Sequence, residues 1–452
     1  MRLAPETLYR IPDDVDCFDY DRQEQSVGIV HFGIGAFHRA HQAWYTDLAM
    51  NAGDRDWMIA GISLRSGAVA EQVNPQDGLY TLSERDRAGM TTRVIGAVQR
   101  VFAAGDMPHA PSISVIAPGA RLVTLTVTEK GYCRASDGSL DQAAAGASFY
   151  PHLAAAMRER MQSGTSGLTM LSCDNLSGNG NVLRRLMSEY LAAAAPETLA
   201  WFEAECACPN SMVDRIVPAT TAGDLDALEA RIGLRDEAAV FTERFSQWVI
   251  EDRFAAERPE WDKVGAQLVA DVAPYETAKL RMLNGAHSAL AYLGLERGHT
   301  FVHEAVGDPA LRSLIERLMR VEAAGSFDAA PEQDLDAYAD ELLARFENAG
   351  LQHRLIQIAM DGSEKIPQRW LETIAAQRAK GGECPSILAG LAAWLRHARG
   401  DARPVDDPRA ALLAGLWRSE GKAGVAAAVL GPRGLLAPAL SEAELRQVTT
   451  QL

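Results

Sequence analysis

A lysine, an asparagine and a histidine lie at short spacing in one segment of the chain, residues 274–294. If this segment is α-helical, Lys279, Asn284 and His287 fall within an arc of about 140° on one face. A proline and then Glu276 at the start of the segment are typical of a helix N-terminus. The same face carries three leucines, Leu280, Leu283 and Leu290. The polar side chains are therefore predicted to lie within an apolar stripe.

A lysine in such a setting is suited to proton transfer. Surrounding leucines disfavour its charged form, which lowers the pKa of the amine and allows it to act as a general base near neutral pH. Asn284 and His287 can donate hydrogen bonds to an oxygen or orient Lys279. Each residue also has a plain structural explanation: a lysine that reaches water, a satisfied core histidine, and an asparagine at a kink beside Gly285. Three of them on one apolar face favour a site.

The beginning of the chain predicts a place for a cofactor. Residues 26–33 are typical of a buried strand, and a glycine turn, a helical pattern and a second strand at 57–64 follow. This order is the opening βαβ unit of a dinucleotide-binding sheet. His38 stands where the fingerprint usually has a small residue, so a purely structural turn is the alternative. The cofactor candidates are the turn residues and the helix start, Gly33, Gly35, Ala36 and Phe37.

Two later apolar runs, residues 121–129 and 167–173, predict further buried strands that end in polar residues. In an open parallel sheet, residues beyond the carboxyl ends of the strands line the ligand crevice. Helix caps and turn formers are the alternative interpretation of such residues. The polar groups in question are Thr128-Glu129-Lys130 and Asp174-Asn175.

Helical periodicity replaces strand signal from about residue 274 onward, as in PSILAGLAAWLRHAR. The sequence therefore predicts an α/β protein in two domains. We expect an N-terminal Rossmann-like, doubly wound sheet over residues 1–270 and a mostly α-helical C-terminal domain over residues 271–452.

The composition excludes several classes of partner. The chain has 44 Lys and Arg against 60 Asp and Glu, a formal net charge of −16. Such a chain is repelled by nucleic acid and by anionic lipid surfaces. No apolar run approaches a membrane span, the first residues lack the apolar stretch of a secretory signal, and the six cysteines are scattered, so we expect a cytoplasmic protein with reduced thiols. No motif with metal-ligand spacing stands out.

Several segments together resemble one known family, the long-chain polyol and sugar-acid dehydrogenases of the mannitol dehydrogenase family. The matching segments run from about residue 27 to 370. They include IVHFGIGAFHRAHQAWYTD, VTLTVTEKGYC, MLSCDNLSGNG, MVDRIVPAT, FSQWVIEDRF and KLRMLNGAHSALAYLG. The last of these, together with IAMDGSEKIPQRW, is closer to the fructuronate reductase branch than to the mannitol branch.

The resemblance implies roles for individual residues. Its K-x(4)-N-x(2)-H signature makes Lys279 the general base, Asn284 a donor to the reacting oxygen and His287 an orienting donor. Asn175 would hold the same oxygen together with Asn284. Glu276 matches a carboxylate that relays protons to and from the base.

Four further positions concern substrate and cofactor. The resemblance matches Asp214 and Lys365 to positions that contact substrate, and it implies a reaction without zinc. It favours NAD as the cofactor. Glu129, at the end of the strand predicted over 121–129, is a further cofactor candidate. From the residues alone NADP stays open, because Arg65 at the end of the second strand could meet a 2′-phosphate.

The substrate also stays open. The branch resemblance favours interconversion of D-fructuronate and D-mannonate, a keto sugar acid and its hydroxy acid, by metal-free hydride transfer. The alternatives are mannitol 2-dehydrogenase or a related polyol dehydrogenase (D-mannitol/D-fructose, D-arabinitol/D-xylulose) and a non-catalytic dinucleotide-binding sensor. A carboxylate substrate would want a cation, for which Lys365, Arg369 and Arg39 are all candidates. The partner is thus a small sugar acid or polyol, and the chain is a monomer or a small homo-oligomer.

Overall fold

The computed structural model describes residues 1–86, 89–103, 118–350 and 352–452. Contacts between residues divide the chain into two compact units, Met1–Val272 and Ala273–Leu452. None of the helices in these ranges has the length and apolarity that crossing a membrane requires.

The first unit is built on a five-stranded sheet. All its strands are parallel, in the order β5-β2-β1-β6-β7. β1 pairs with β2 on one side and β6 on the other, so the order of the strands reverses beside β1. Ligands bind at such a reversal, beyond the carboxyl ends of the strands. The five strands are β1 (Val27–Phe32), β2 (Met58–Ser63), β5 (Val98–Ala103), β6 (Leu122–Leu125) and β7 (Thr169–Ser172).

Two three-stranded sheets complete the strand content of the described residues. One has the order β4-β3-β9 and the other β11-β10-β8, and each combines a parallel and an antiparallel pair. Their strands are β3 (Tyr80–Asp86), β4 (Gly89–Ile95), β8 (Ser211–Asp214), β9 (Val240–Glu243), β10 (Gln247–Glu251) and β11 (Gln267–Val269).

Helices pack around these sheets. The central strands are buried over their whole length, because both faces of a parallel sheet are covered. The α-helices of this unit are α1 (Ala36–Ala40), α2 (Gln42–Asn51), α3 (Ala68–Val73), α4 (Gln142–Ala145), α5 (Tyr150–Ser163), α6 (Asn179–Ala194), α7 (Pro196–Glu205) and α8 (Ala222–Ile232). Short 3₁₀ turns lie at Pro5–Arg10, Arg22–Glu24, Asn74–Gln76, Glu129–Tyr132 and Trp261–Val264.

The second unit is helical. Its α-helices are α9 (Ala273–Ala278), α10 (Gly285–Glu296), α11 (Val302–Gly307), α12 (Pro309–Arg317), α13 (Leu335–Phe346), α14 (Leu355–Ile358), α15 (Gly362–Ile366), α16 (Glu372–Ala379), α17 (Pro385–Ala398), α18 (Ala410–Leu430) and α19 (Glu442–Gln451). A 3₁₀ turn lies at Ala324–Ser326. Three segments are π-helical, the first at Lys279–Asn284, the second at Leu318–Ala323 and the third at Pro367–Leu371. The first π segment packs against the other two.

The predicted fold class is confirmed: a parallel Rossmann-like sheet precedes a mostly helical region. Two details differ from the sequence-based expectation. The helix expected after Gly35 is broken at His41, whose φ of −125° and ψ of −87° separate α1 from α2. The strand expected over 121–129 ends at Leu125, because the chain then turns to line a cavity.

Candidate active site

A cavity of about 380 Å³ lies in the first unit, where β1, β2 and β6 end. Neighbouring parallel strands deliver their carboxyl ends to the same edge, so the three following loops meet there. Its lining comes from Gly33, Ile34 and Gly35 after β1, Ser63, Leu64, Arg65 and Val69 after β2, Thr126, Val127, Thr128, Lys130, Gly131 and Cys133 after β6, and Ala144, Ala147 and Ser148 near α4.

The glycine turn brings bare backbone to this cavity. Gly33 has a φ of +92°, and a Cβ there would lie 2.1 Å from the backbone oxygen of Thr126, so a side chain cannot be accommodated. A Cβ on Gly35 would meet nothing closer than 3.9 Å. Gly35 caps the N-terminus of α1, and its glycine nature keeps the backbone approachable from the cavity.

The loop after β6 is held in a conformation that glycine usually adopts. Thr128 has φ 65° and ψ 164°, a region that costs a non-glycine residue about 1–3 kcal/mol. The carboxylate of Asp174 accepts hydrogen bonds from the backbone N–H groups of Val127, at 3.0 Å, and Thr128, at 2.8 Å. The hydroxyl of Tyr132 donates to the same carboxylate at 2.9 Å. Asp174, two residues after β7, therefore fixes one wall of the cavity.

Two histidines pack the first helix against β1. The His38 ring stacks on the His31 ring, with centroids 3.4 Å apart and planes at 15°. Burial lowers the pKa of His31 to about 3 and that of His38 well below its usual value, so both rings are neutral. Stacking at this distance allows the close contact between helix and strand that a small residue at position 38 otherwise provides.

His31 also supports the glycine turn. The Thr126 hydroxyl donates to the Gly33 carbonyl at 2.7 Å and lies 2.9 Å from His31 Nε2. Since that hydroxyl proton is already used, His31 Nε2 must be the donor to Thr126. The tautomer is thereby assigned, and Nδ1 accepts from the Thr124 hydroxyl at 2.7 Å.

Only some of the cofactor residues predicted from sequence line the cavity. Gly33, Gly35 and Arg65 line it, whereas Ala36, Phe37 and Glu129 are not among its described lining residues. The Phe37 ring instead stacks on His41, with centroids 5.2 Å apart. Glu129 is exposed, 3.8 Å from Arg134. The cavity is lined instead by Thr128 and Lys130, which lie on either side of Glu129. Both were predicted from sequence to lie at a strand end.

In the second unit, Lys279 and Asn284 are the first and last residues of the first π segment. The sequence pattern predicted an unbroken α-helix, whereas the structure has a π segment here. The N–H of Gly285 bonds to the carbonyl of Leu280, five residues back. A hydrogen bond over five residues widens the turn, so residues five apart, such as Lys279 and Asn284, come closer in angle than on an α-helix.

His287 follows one turn later in α10 and is buried. Its ring centroid lies 4.7 Å from that of Phe346 and 5.3 Å from that of His353. Burial first, and then the charges of neighbouring groups, lower the pKa of His287 well below its ordinary value. The imidazole is therefore neutral at physiological pH and can donate only one hydrogen bond.

A cluster from α10 and the third π segment surrounds Asn284. Arg369 Nη1 donates to the Ser288 hydroxyl at 2.9 Å and to the Asn284 carbonyl at 3.3 Å. The indole N–H of Trp370 donates to the carbonyl of Gly285 at 3.1 Å. These contacts satisfy carbonyls of the helical turn that the π segment widens. Sequence analysis did not find Ser288 or Trp370, since nothing in the local pattern relates residues more than 80 positions apart.

The remaining predicted residues are distributed over both units. Asn175 is exposed and follows Asp174 beyond β7, and Asp214 is the buried last residue of β8. Glu276 lies in α9, three residues before Lys279. Lys365 in α15 donates from Nζ to the Met360 carbonyl at 2.6 Å, and burial lowers its pKa.

The geometry of both units corresponds to a single known family. Residues 27–263 match the family model of the mannitol dehydrogenase Rossmann domain, and residues 271–433 match that of the mannitol dehydrogenase C-terminal domain. The chain belongs to the mannitol dehydrogenase family. The resemblance found by sequence is thereby confirmed.

Individual members of the mannitol dehydrogenase family are similar over most of the chain. The D-mannonate oxidoreductase of Escherichia coli (strain K12) is 40% identical over 399 residues, covering 85% of this chain and 82% of that protein. The polyol:NADP oxidoreductase of Gluconobacter oxydans (strain 621H) is 36% identical over 415 residues, covering 88% and 85%. The structure of Pseudomonas fluorescens mannitol 2-dehydrogenase in ternary complex with NAD and D-mannitol has a TM-score of 0.83 at 34% identity, covering 100% of this chain and 96% of that chain.

As a member of the mannitol dehydrogenase family, the chain is an oxidoreductase that acts on CH–OH groups. Within the described residues, no group of three or more His, Cys, Asp or Glu side chains is arranged to hold a metal ion.

Proposed function

We propose that this member of the family interconverts D-fructuronate and D-mannonate with NAD. The observation that carries the proposal is the arrangement around the first π segment, which presents Lys279, Asn284 and the neutral His287 on consecutive turns. The sequence identity of 40% to a D-mannonate oxidoreductase supports the assignment of a sugar-acid substrate.

The residues of the cavity fit a dinucleotide. Gly33 makes a turn that only glycine can make there, and Gly35 leaves open space where a side chain would stand. Bare backbone at the start of a helix after the first strand is what a pyrophosphate requires. Arg65 and Lys130 supply positive charge to the same cavity. A structural relative is in complex with NAD; bound in this cavity, the nicotinamide would supply hydride chemistry, its oxidised form taking a hydride from an alcohol carbon and its reduced form giving one to a ketone.

The side chains of this chain handle the proton and the oxygen. In oxidation, the Lys279 amine takes the hydroxyl proton, and in reduction the protonated amine returns it. The amide groups of Asn284 and Asn175 donate hydrogen bonds to the reacting oxygen, stabilising its developing charge. His287 orients that oxygen through its single N–H.

Three more residues complete the proposal. Glu276, three residues before Lys279 on the same helix, exchanges protons between the base and water. Asp214 and Lys365 bind hydroxyl groups of the sugar, since a carboxylate and an ammonium both bond to hydroxyls.

A substrate panel tests the proposal. NADH oxidation is measured with D-fructuronate, D-tagaturonate, D-fructose and D-ribulose at equal concentrations. We expect the highest kcat/KM with D-fructuronate. If D-fructose is turned over well and D-fructuronate is not, the protein is a polyol dehydrogenase and the substrate assignment is wrong.

Lys279→Ala tests the chemistry. Removal of a general base is expected to lower kcat by about 10²–10⁴-fold, while NADH affinity, measured by fluorescence titration, changes less than about threefold. Lys263→Ala is the matched control, since Lys263 is an exposed lysine paired with Glu260. Retention of full turnover by Lys279→Ala contradicts the mechanism.

A further inference from the structure

Arg369 lies in the third π segment, four residues after Lys365. Its side chain reaches α10 and the end of the first π segment, where Nη1 donates to the Ser288 hydroxyl and to the Asn284 carbonyl. Both acceptors are uncharged. The guanidinium is therefore fixed beside residues of the proposed catalytic set, and neither of the groups that it bonds neutralises its charge.

The charge of Arg369 has no counter-ion nearby. Within the described residues, no carboxylate lies at ion-pair distance from its guanidinium. Burial lowers the pKa of Arg369 to about 10, which leaves the group cationic at neutral pH. Its cationic neighbour Lys365 adds to the local positive charge. An enclosed cation without an anion is unfavourable unless something else binds it.

The other two cations considered from sequence are already engaged. Arg39 donates from Nη1 to the Ala238 carbonyl at 2.7 Å, which anchors it inside the first unit. Lys365 donates to the Met360 carbonyl and lies 3.8 Å from the carboxylate of Asp361. Arg369, in contrast, uses Nη1 alone. Its Nε and Nη2 have no hydrogen-bond partner among the described residues, and their N–H groups form the edge that binds a carboxylate in bidentate fashion.

We propose that Arg369 binds the carboxylate of the sugar-acid substrate and thereby sets the preference for keto acids over neutral ketoses. The inference rests on the proposed function and assigns to one residue the recognition that this function requires. A neutral sugar offers only hydroxyl groups to the same guanidinium and gains less from it.

A purely structural role for Arg369 makes a different prediction. If the guanidinium served only to satisfy the Asn284 carbonyl in the widened turn, its loss would disturb Asn284 and slow every substrate alike. The two roles are therefore separated by selectivity, the ratio of kcat/KM for D-fructuronate to kcat/KM for D-fructose.

The test compares Arg369→Gln with the wild type and with Arg281→Gln. Arg281 is a matched control because it lies in the first π segment, is partly buried and bonds to the hydroxyl of Ser326 at 2.9 Å. We expect Arg369→Gln to lower the selectivity ratio by about 10- to 100-fold, because both substrates lose the bond to the Asn284 carbonyl but only D-fructuronate also loses its bidentate partner. Arg281→Gln should leave the ratio unchanged.

Other outcomes overturn the inference. Equal losses with both substrates indicate a structural role, and an unchanged ratio shows that Arg369 does not contact the carboxylate. If Arg369→Gln fails to fold, Arg369→Lys replaces it, since lysine keeps the charge but lacks the two parallel N–H groups of the guanidinium. Arg369→Lys should lower the same ratio by a smaller factor, and an unchanged ratio would contradict the inference. A wild type that turns over D-fructose but not D-fructuronate refutes the proposed function itself, and the inference with it.

Discussion

The imidazole rings of His31 and His38 stack at 3.4 Å, one from the central strand and one from the first helix. Burial lowers the pKa of both, to about 3 for His31, whereas an unfolded histidine titrates near 6.5. As the pH falls below about 6.5, the unfolded chain gains protons that the native protein does not. The contribution of these neutral rings to the free energy of unfolding is thus fully present above about pH 6.5. It is lost as the pH falls toward 3, by up to about 1.4 kcal/mol per pH unit for each ring.

Urea unfolding at pH 7.5, 6.0 and 5.0 measures this loss. His38→Phe keeps a ring against His31 but cannot titrate, so its stability should fall less steeply with pH than that of the wild type. Parallel slopes for His38→Phe and wild type would show that these rings do not control acid stability.

Asp174 should determine cofactor affinity through the loop that it holds. Asp174→Asn cannot accept from the backbone N–H groups of Val127 and Thr128 in the same way, and Thr128 would leave its unfavourable conformation. We expect the KM for NADH to rise about 10-fold and the free energy of unfolding to fall by about 1–3 kcal/mol. Steady-state kinetics and urea titration measure the two effects.

Thr128→Gly is the companion variant for this prediction. Glycine adopts φ 65° and ψ 164° without strain, so the substitution should stabilise the protein by about 1 kcal/mol after its entropic cost. A loss of stability instead would mean that the threonine side chain contributes more than its backbone strain costs.

Arg65 should discriminate between the two dinucleotides. It lines the cavity at the end of β2, where the adenosine ribose of a dinucleotide binds in folds of this kind. Arg65→Ala removes a partner for a 2′-phosphate, so we expect kcat/KM with NADPH to fall about 10-fold or more and kcat/KM with NADH to change less than about threefold. Equal losses with both cofactors would assign Arg65 to the shared pyrophosphate instead.

His287 should not appear in the pH profile. Because burial holds its pKa well below 6.5, the ring stays neutral between pH 6 and pH 9. His287→Asn is therefore expected to lower kcat about 10- to 100-fold by loss of an orienting hydrogen bond, while the pH dependence of kcat/KM keeps its shape. Disappearance of an ionisation from the profile of this variant would contradict the neutral assignment.

Glu322 should stabilise the second unit from within. This fully buried carboxylate accepts hydrogen bonds from the N–H groups of Ser386, at 2.8 Å, and Ile387, at 2.9 Å, at the start of α17. Glu322→Gln should lower the free energy of unfolding by about 1–3 kcal/mol. Arg317, 3.5 Å away and largely exposed, is the control, and Arg317→Ala should change stability by less than about 1 kcal/mol. The free energies of unfolding are measured by urea titration. A larger loss in Arg317→Ala than in Glu322→Gln would contradict this role of Glu322.

The main sheet was predictable where the sequence pattern is local. β1 and β2 are apolar runs bounded by turn residues, and they lie within one residue of the predicted limits. β3 and β4 were not predicted, because neither is a continuous apolar run and their pairing depends on each other and on β9, about 150 residues later. The break at His41 likewise has no signal in a helical pattern.

The candidate site was predictable in its residue types and less so in its geometry. The spacing of Lys279, Asn284 and His287 predicted the helix but not its π segment, which packs against segments more than 30 residues away. The strand-end rule pointed to Thr128 and Lys130. It could not distinguish Glu129, which turns outward between them, since side-chain direction in a turn depends on φ and ψ rather than on residue type.

The widened turn makes the spacing of Lys279 and Asn284 depend on one extra residue. A π segment holds one residue more than an α-helix needs for the same rise, so loss of any one residue between Lys279 and Asn284 would let the helix close up as ordinary α-helix. The helical parts on either side would keep nearly the same direction, because the residue removed is the one that an α-helix does not need. A one-residue deletion is thus expected to shorten the interval between Lys279 and Asn284 from five residues to four while leaving the ends of the helix in place, so this interval belongs to the geometry of the proposed site.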